Sequence, residues 1–305
     1  MSNGHDSRYK WVFSHPSFVK KFLQSFVPLS FVKKLDFDAM ERVDKEFVSE
    51  EFRSLESDIV YKIPYCGSCI YIFLLIEFQS TVDSAMPLRF LRYTGELYRF
   101  AKPNTKTGLY PAAFPVLLYN GDEKWHVAHN VANLIEKSIP SEFIPNFRYF
   151  PVLINEFSRR TLVKIRNAVS AIFYIENSRV EELEARMDEL VTIIKDEETE
   201  SLRVLAKWFI GYLRHKAGRR PDTDTEKLYE QITSPMEVKT MFATKLREHE
   251  DELLQQGRQE GRQEGMQLGM QEKAIEAAHR MKAKGYTVDD IAEITGLSKE
   301  QIEAL

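Results

Sequence analysis

The sequence predicts an α/β (or α+β) protein: a core sheet flanked by helices, with a helical extension at its carboxyl end. Three observations carry this. Short apolar runs rich in β-branched and aromatic residues, bounded by turn residues, recur in the first half of the chain. Segments of helical periodicity interleave with them and then dominate. The composition also shifts, since 17 of the 20 phenylalanines lie in residues 1–160 and 3 in residues 161–305.

Taken in order, residues 8–27 carry Trp11, Phe18, Phe22, Leu23 and Phe26 on a rough helical stripe that Pro28 ends. Residues 41–55, with Val43, Phe47, Val48 and Phe52 apolar, fit a strand or a short helix. From Asp58 the pattern reads as a strand, residues 64–69 as a turn, and residues 70–78 as a buried central strand, which together make a hairpin. Residues 86–101 read as a helix with Leu88, Leu91, Leu97 and Phe100 apolar and Pro87 at a tolerated early position. Residues 114–119 and 150–154 are two further buried strands, the first closed by Asn120 and Gly121.

Beyond Thr161 the signal is helical, over residues 167–175, 180–195 and 201–214. An exposed loop follows from His215, and helix resumes near Leu228 and runs from Pro235 to about Lys284. Glycines at 257, 261, 265 and 269 recur every four residues. Each costs about 1 kcal/mol against alanine inside a helix. The repeat is either a solvated helical linker or a small-residue stripe along which two copies of the chain approach as a homo-oligomer. Residues 286–305 read as a helical hairpin with Gly296 in its turn, Ser298 and Gln301 at capping-box spacing, and Ile291, Ile294, Leu297, Ile302 and Leu305 as its apolar face. A packing or assembly role suits it better than a helix-turn-helix reader of DNA, because it carries few basic residues. The expected organisation is a main domain over residues 1–250, a linker over 251–285 and the hairpin over 286–305.

The chain of 305 residues has a net charge of −4. That argues against a histone-like binder but not against a local basic groove. From Asp251 onward there are seven basic and eleven acidic residues, so the excess lies in the extension and the body is neutral. Two cysteines point to a reducing compartment. No run approaches the ~20 apolar residues of a membrane span, and the first residues lack an apolar leader. A cytoplasmic protein with no membrane partner is expected.

The chemistry concentrates at Asp58, Glu77 and Gln79. Glu77 interrupts an apolar strand, and a buried carboxylate is expensive unless it is paired or binds a metal. Folding the hairpin brings the start of the first strand, Asp58, beside the end of the second. Residues i and i+2 share a face, so Glu77 and Gln79 project together. Two carboxylates and an amide can hold a hard divalent cation such as Mg2+, which serves phosphodiester hydrolysis. A salt bridge from Glu77 to Arg89 or Arg92 is the alternative.

Several stretches carry a resemblance: His5-Asp6-Ser7-Arg8-Tyr9-Lys10; Ser57-Asp58-Ile59-Val60-Tyr61; Ile76-Glu77-Phe78-Gln79-Ser80; Met86-Pro87-Leu88-Arg89-Phe90-Leu91-Arg92-Tyr93; and Pro115 to Gly121 followed by Trp125. In this order they resemble the Rpn family of recombination-promoting nucleases, also called YhgA-like putative transposases, of the PD-(D/E)XK superfamily. The resemblance implies a restriction-endonuclease-like core and a Mg2+-dependent DNA endonuclease that promotes recombination, with double-stranded DNA as partner. It gives Asp58 and Glu77 the metal and Gln79 the place where the superfamily usually has lysine. Gln79 and Ser57, which replaces the motif's proline, are departures. They leave open a non-catalytic DNA-binding or assembly protein that keeps the fold.

Arg89, Arg92 and Arg99 share part of a helix face after the catalytic strand and are candidates for DNA phosphates, or else a solvated basic face. Arg159, Arg160, Lys164 and Arg166 form a second basic cluster. Asp6 and Lys10 are possible accessories to the site, with a capping or core role as the alternative. Cys66 and Cys69 have zinc-like spacing but no second pair, which favours a tight turn.

Overall fold

The computed structural model describes residues 3–43, 58–77, 82–101, 103, 107–121, 123–218 and 229–305. Gln79 and Ser57 lie outside the described residues, as do Phe47, Val48, Phe52 and Phe78. Five strands form one sheet in the order β1-β2-β3-β4-β5. They are β1 (Glu41–Arg42), β2 (Asp58–Tyr65), β3 (Ser68–Glu77), β4 (Ala112–Tyr119) and β5 (Phe150–Leu153). Strands β1, β2 and β3 pair antiparallel, whereas β3, β4 and β5 pair parallel. The α/β expectation holds, and the sheet is mixed.

The hairpin turn is tighter than the sequence suggests. Pro64 and Tyr65 still belong to β2, paired with Cys69 and Ser68. Only Cys66 (φ 46°) and Gly67 (φ 80°) form the loop. Both have left-handed backbone, as a two-residue type I′ hairpin requires. Among the described residues no group of three or more His, Cys, Asp and Glu could hold a metal ion.

Alternation along the strands gives the sheet two apolar faces. One carries Ile59, Tyr61, Ile63, Ile70, Ile72, Leu74, Val116, Leu118 and Val152. It is covered by α1 (Asn3–Phe13), α2 (Pro16–Phe26), α4 (Arg159–Ile165), α5 (Ala168–Glu176), α7 (Met187–Ile194) and α8 (Thr199–Lys216). The other carries Val60, Tyr71, Leu117 and Tyr119 and is covered by α3 (Met86–Phe100).

Several expected boundaries change. The stripe over residues 8–27 is two helices, because Ser14 and His15 leave the helical path and Pro16 starts α2 at its first position. On α3 the buried face is Met86, Phe90, Tyr93 and Leu97, and Leu88 is exposed. Residues 180–195 split into α6 (Val180–Leu183), a 3-10 turn and α7. Residues 41–55 contribute the two-residue β1, within the part that is described.

The chain divides into two compact units, Met1–Leu246 and Arg247–Leu305. In the first, the start of α9 (Pro235–Ala283) adds Val238, Phe242 and Leu246 to the core, with the Phe242 ring stacked 3.7 Å from that of Phe209. In the second, α10 (Val288–Thr295) and α11 (Lys299–Glu303) form the expected hairpin. Capping boxes at Thr287/Asp290 and Ser298/Gln301 start its two helices. Ala278, Ile291, Leu297 and Ile302 make its small core, while Ile294 is exposed rather than part of it. No helix among the described residues is long and apolar enough to cross a membrane.

Two outcomes are expected. Phe173 is fully buried with the ring of Phe26 4.7 Å away, so Phe173→Ala should lower the unfolding free energy by about 3–5 kcal/mol in a urea titration. Gly296 ends α10 at φ 73°, so Gly296→Ala should cost about 1–2 kcal/mol. That loss should be read as faster amide exchange confined to residues 287–305.

Candidate functional site

The register of the hairpin sets the site. Asp58, the first residue of β2, pairs with Leu75, and Glu77, the last of β3, pairs with Tyr119. Because residues alternate between faces, positions 58, 75, 77 and 119 fall on the face that carries Val60, Tyr71 and Leu117. Positions 58 and 77 are therefore diagonal neighbours on adjacent strands, on the face that α3 covers. These are the positions at which the sequence expects a metal. The backbone register brings them together at the carboxyl end of β3.

The three arginines of α3 are placed differently from one another. Arg89 is engaged: its Nη1 donates to Asp83 Oδ2 at 3.1 Å and its Nε to the Tyr93 hydroxyl at 3.2 Å. Asp83 Oδ1 also accepts the Ala85 amide, at 2.8 Å, so the pair fixes the entry to α3. Arg99 donates to Glu96 at 3.0 Å on the surface. Arg92 is exposed, with its guanidinium carbon 5.2 Å from the Tyr93 ring centre. Of the three, Arg92 is the one without an ion pair among the described residues.

Asp6 and Lys10 lie one turn apart on α1, whose Tyr9, Val12 and Phe13 pack on the opposite face of the sheet from positions 58 and 77. Lys10 is half-buried. In the second basic cluster Arg159 is ion-paired with Glu189. Arg166 takes a left-handed conformation (φ 57°) at the end of α4.

A second polar centre escaped the sequence reading. A cavity of about 690 Å3 opens where β4 and β5 end, lined by Asn120 and Gly121 after β4 and by Asn155 and Phe157 after β5. The ends of α5 and α8 supply Glu176 and Lys216, and Arg159, Arg179 and Arg186 complete its charged wall. Glu176 is partly exposed as a residue, yet its Oε1 is sealed from solvent. Burial pushes its carboxyl up to about 7, against the opposing pull of Arg8, Lys216, Asn120 and Tyr9. Burial likewise lowers the Arg8 guanidinium and raises the Tyr9 hydroxyl. Arg8 also donates to the carbonyl of Gly211 at 3.3 Å. A Cβ at Gly211 would sit 3.0 Å from the Arg8 side chain, which accounts for a glycine inside α8. The signal for Glu176 was present in the sequence: it ends an apolar run, Ala168-Val-Ser-Ala-Ile-Phe-Tyr-Ile175, as Glu77 ends its own.

A family model described as "Putative transposase, YhgA-like" matches residues 3–204. "Recombination-promoting nuclease RpnD" of Escherichia coli O157:H7 is 29% identical over 120 residues, 39% of this chain and 46% of that protein. "Putative inactive recombination-promoting nuclease-like protein YjiP" of Escherichia coli K12 is 31% identical over 93 residues, 30% of this chain and 90% of that protein. "Recombination-promoting nuclease RpnC" of the same strain is 24% identical over 119 residues, 39% of each chain. The chain thus spans less than half the length of the two relatives named as nucleases. No solved structure matches.

Glu176 gives a pH-dependent expectation. Its folded-state value of about 7 lies above the usual 4.5, so the native state holds the proton more tightly than the unfolded chain. The stabilisation is complete below about pH 4.5 and is lost as pH rises through 7. Glu176→Gln should remove that loss. Between pH 4.5 and 7.5 the wild type should fall relative to the variant by roughly 1–3 kcal/mol in parallel denaturant titrations.

Proposed function

The chain belongs to the YhgA-like putative transposase family, and on that footing we propose that it is a metal-dependent DNA endonuclease that promotes recombination. Double-stranded DNA is its substrate and Mg2+, or another hard divalent cation, its cofactor. The observation that carries the reading is the register: it makes Asp58 and Glu77 diagonal neighbours on one face at the carboxyl end of β3. The donor set fits the group, since two carboxylates and the amide of Gln79 are the oxygen donors that a hard cation takes.

Asp58 and Glu77 would hold the ion, which when bound would supply polarisation of the attacking water and neutralisation of charge on the scissile phosphate. Gln79 cannot supply a positive charge or act as a base, but its amide can orient the attacking water or a phosphate oxygen. Arg92, exposed on the helix that covers this face, is suited to a neighbouring DNA phosphate. Arg89 acts one step back, by fixing the start of α3 through Asp83. The superfamily assignment, PD-(D/E)XK, rests on the order of these motifs.

A second reading has a specific observation behind it. The relative that is matched over 90% of its length is named inactive, and Gln79 departs from the superfamily's lysine. A protein that binds DNA without cutting it would keep the same fold.

Purified protein incubated with supercoiled plasmid and Mg2+ separates the two. The nuclease reading expects nicked or linear products, reduced on the order of 100-fold or more in Asp58→Ala and Glu77→Ala. Cleavage that persists in both variants overturns the site. DNA binding without cleavage across several divalent metals, with affinity unchanged in Asp58→Ala, favours the second reading.

A further inference from the structure

The cavity at the ends of β4 and β5 is not part of the carboxylate edge. Leu162 and Tyr174, which line it, belong to the core on the opposite face of the sheet from positions 58 and 77. In sheets with parallel strands, ligands collect in crevices outside the carboxyl ends of those strands. Its volume of about 690 Å3 lies within the roughly 300–1,000 Å3 of small-molecule sites and leaves room for more than a tetrahedral anion.

Its charge selects an anion. Four cations line it, Arg159, Arg179, Arg186 and Lys216, against the single carboxylate Glu176. Two of them are committed, Arg159 to Glu189 and Arg186 to Glu182. Arg179 and Lys216 are exposed and neither makes an ion pair among the described residues, although the Lys216 ammonium lies 5.5 Å from the centre of the Tyr212 ring and also acts on Glu176. Guanidinium and ammonium groups disposed in this way suit a phosphate, the first by paired hydrogen bonds and the second as a point charge.

The remaining wall selects what the phosphate is attached to. The amide nitrogen of Asn155 donates to the Gly121 carbonyl at 2.8 Å and that of Asn177 to the Ile154 carbonyl at 2.7 Å. These bonds fix both amides, and no hydrogen bond among the described residues uses their oxygens. Amide groups held in this way beside the partly exposed ring of Phe157 match the polar edge and flat face of a nucleobase, whereas Tyr174 is buried and its hydroxyl donates to Glu189 at 2.8 Å.

We propose that this cavity binds a nucleotide, with Arg179 and Lys216 on its phosphate and Asn155 and Asn177 toward its base. The phosphate has two sources, a free mononucleotide or the 5′-phosphorylated end of a DNA strand. The site stands apart from the cleavage proposed at Asp58 and Glu77, and it is tested by binding alone.

The experiment is calorimetric titration of the full chain in EDTA, which silences any metal-dependent site. The probes are deoxyadenosine 5′-monophosphate, deoxyadenosine, inorganic phosphate, and a short oligonucleotide with a 5′-phosphate or a 5′-hydroxyl. The mononucleotide or the 5′-phosphorylated oligonucleotide should bind saturably, and the counterpart lacking the phosphate on the order of tenfold or more weaker. Arg179→Ala/Lys216→Ala should lose a similar factor while melting as the wild type does, and Asp58→Ala should bind unchanged. Binding of the mononucleotide alone identifies a free nucleotide as the source, and preference for the phosphorylated oligonucleotide identifies the strand end. The proposal is overturned by any of four results: equal binding with and without the phosphate, inorganic phosphate binding as tightly as the nucleotide, a double variant as tight as wild type, or no saturable binding by any probe.

Discussion

Strand β3 is the constraint on which the rest of the molecule depends. It pairs antiparallel with β2 on one side and parallel with β4 on the other, so from Ile70 to Leu75 it has a paired strand on both sides. Side chains on both of its faces are buried, with Ile70, Ile72 and Leu74 toward one helical layer and Tyr71 toward the other. A one-residue slip would exchange these two sets between layers of different shape. The same register that packs the two cores also decides which residue of β2 stands beside Glu77. The packing of the two layers and the adjacency of positions 58 and 77 are thus set by one pairing.

Much of this was legible in the sequence, for physical reasons that can be named. A run such as residues 70–76 has few solutions other than a buried strand, and a tight turn before it leaves the hairpin as the natural partner. Carboxylates at the ends of such strands stand out because burial makes them costly. What was not legible depends on distant packing. Nothing local shows that Pro64 stays in the ladder rather than in the turn, or that Leu88 faces outward while Met86 faces in. Glu176 was overlooked for a similar reason. Its burial comes from Arg8, Tyr9 and Asn120, which reach it from other parts of the chain, and no spacing rule links those positions. Arg89 was legible as a basic residue on the right helix, but its engagement with Asp83 follows from the fold.

The carboxyl-terminal unit obeys different rules. Its last two helices are short and begin with side-chain caps, because a core of a few residues cannot by itself hold helices of five and eight residues. Helix α9 keeps its path through four glycines, each with open space around it. Local hydrogen bonding, rather than packing, maintains that stretch. The sequence identified the hairpin well because capping boxes are local signals, and it misjudged Ile294 because the side that faces α9 is not.

The contact between Arg8 and Gly211 has a consequence for how the chain is made. The two residues are 203 positions apart, and the groove that receives the Arg8 side chain exists only where α8 lacks a side chain of its own. During synthesis the amino-terminal helix emerges first, yet its charged group has no finished place to go until most of the protein has left the ribosome. A contact of such sequence separation cannot form until both of its ends have been made, although the cost of closing the loop grows only slowly with its length. Part of the first helix's apolar side, including Phe13, packs on β2, β3 and α2, which are made soon after it, while the side that bears Arg8 and Tyr9 depends on α8. The finished body joins the beginning of the chain to α8, so a truncation before α8 would leave the side of α1 that bears Arg8 without its partner.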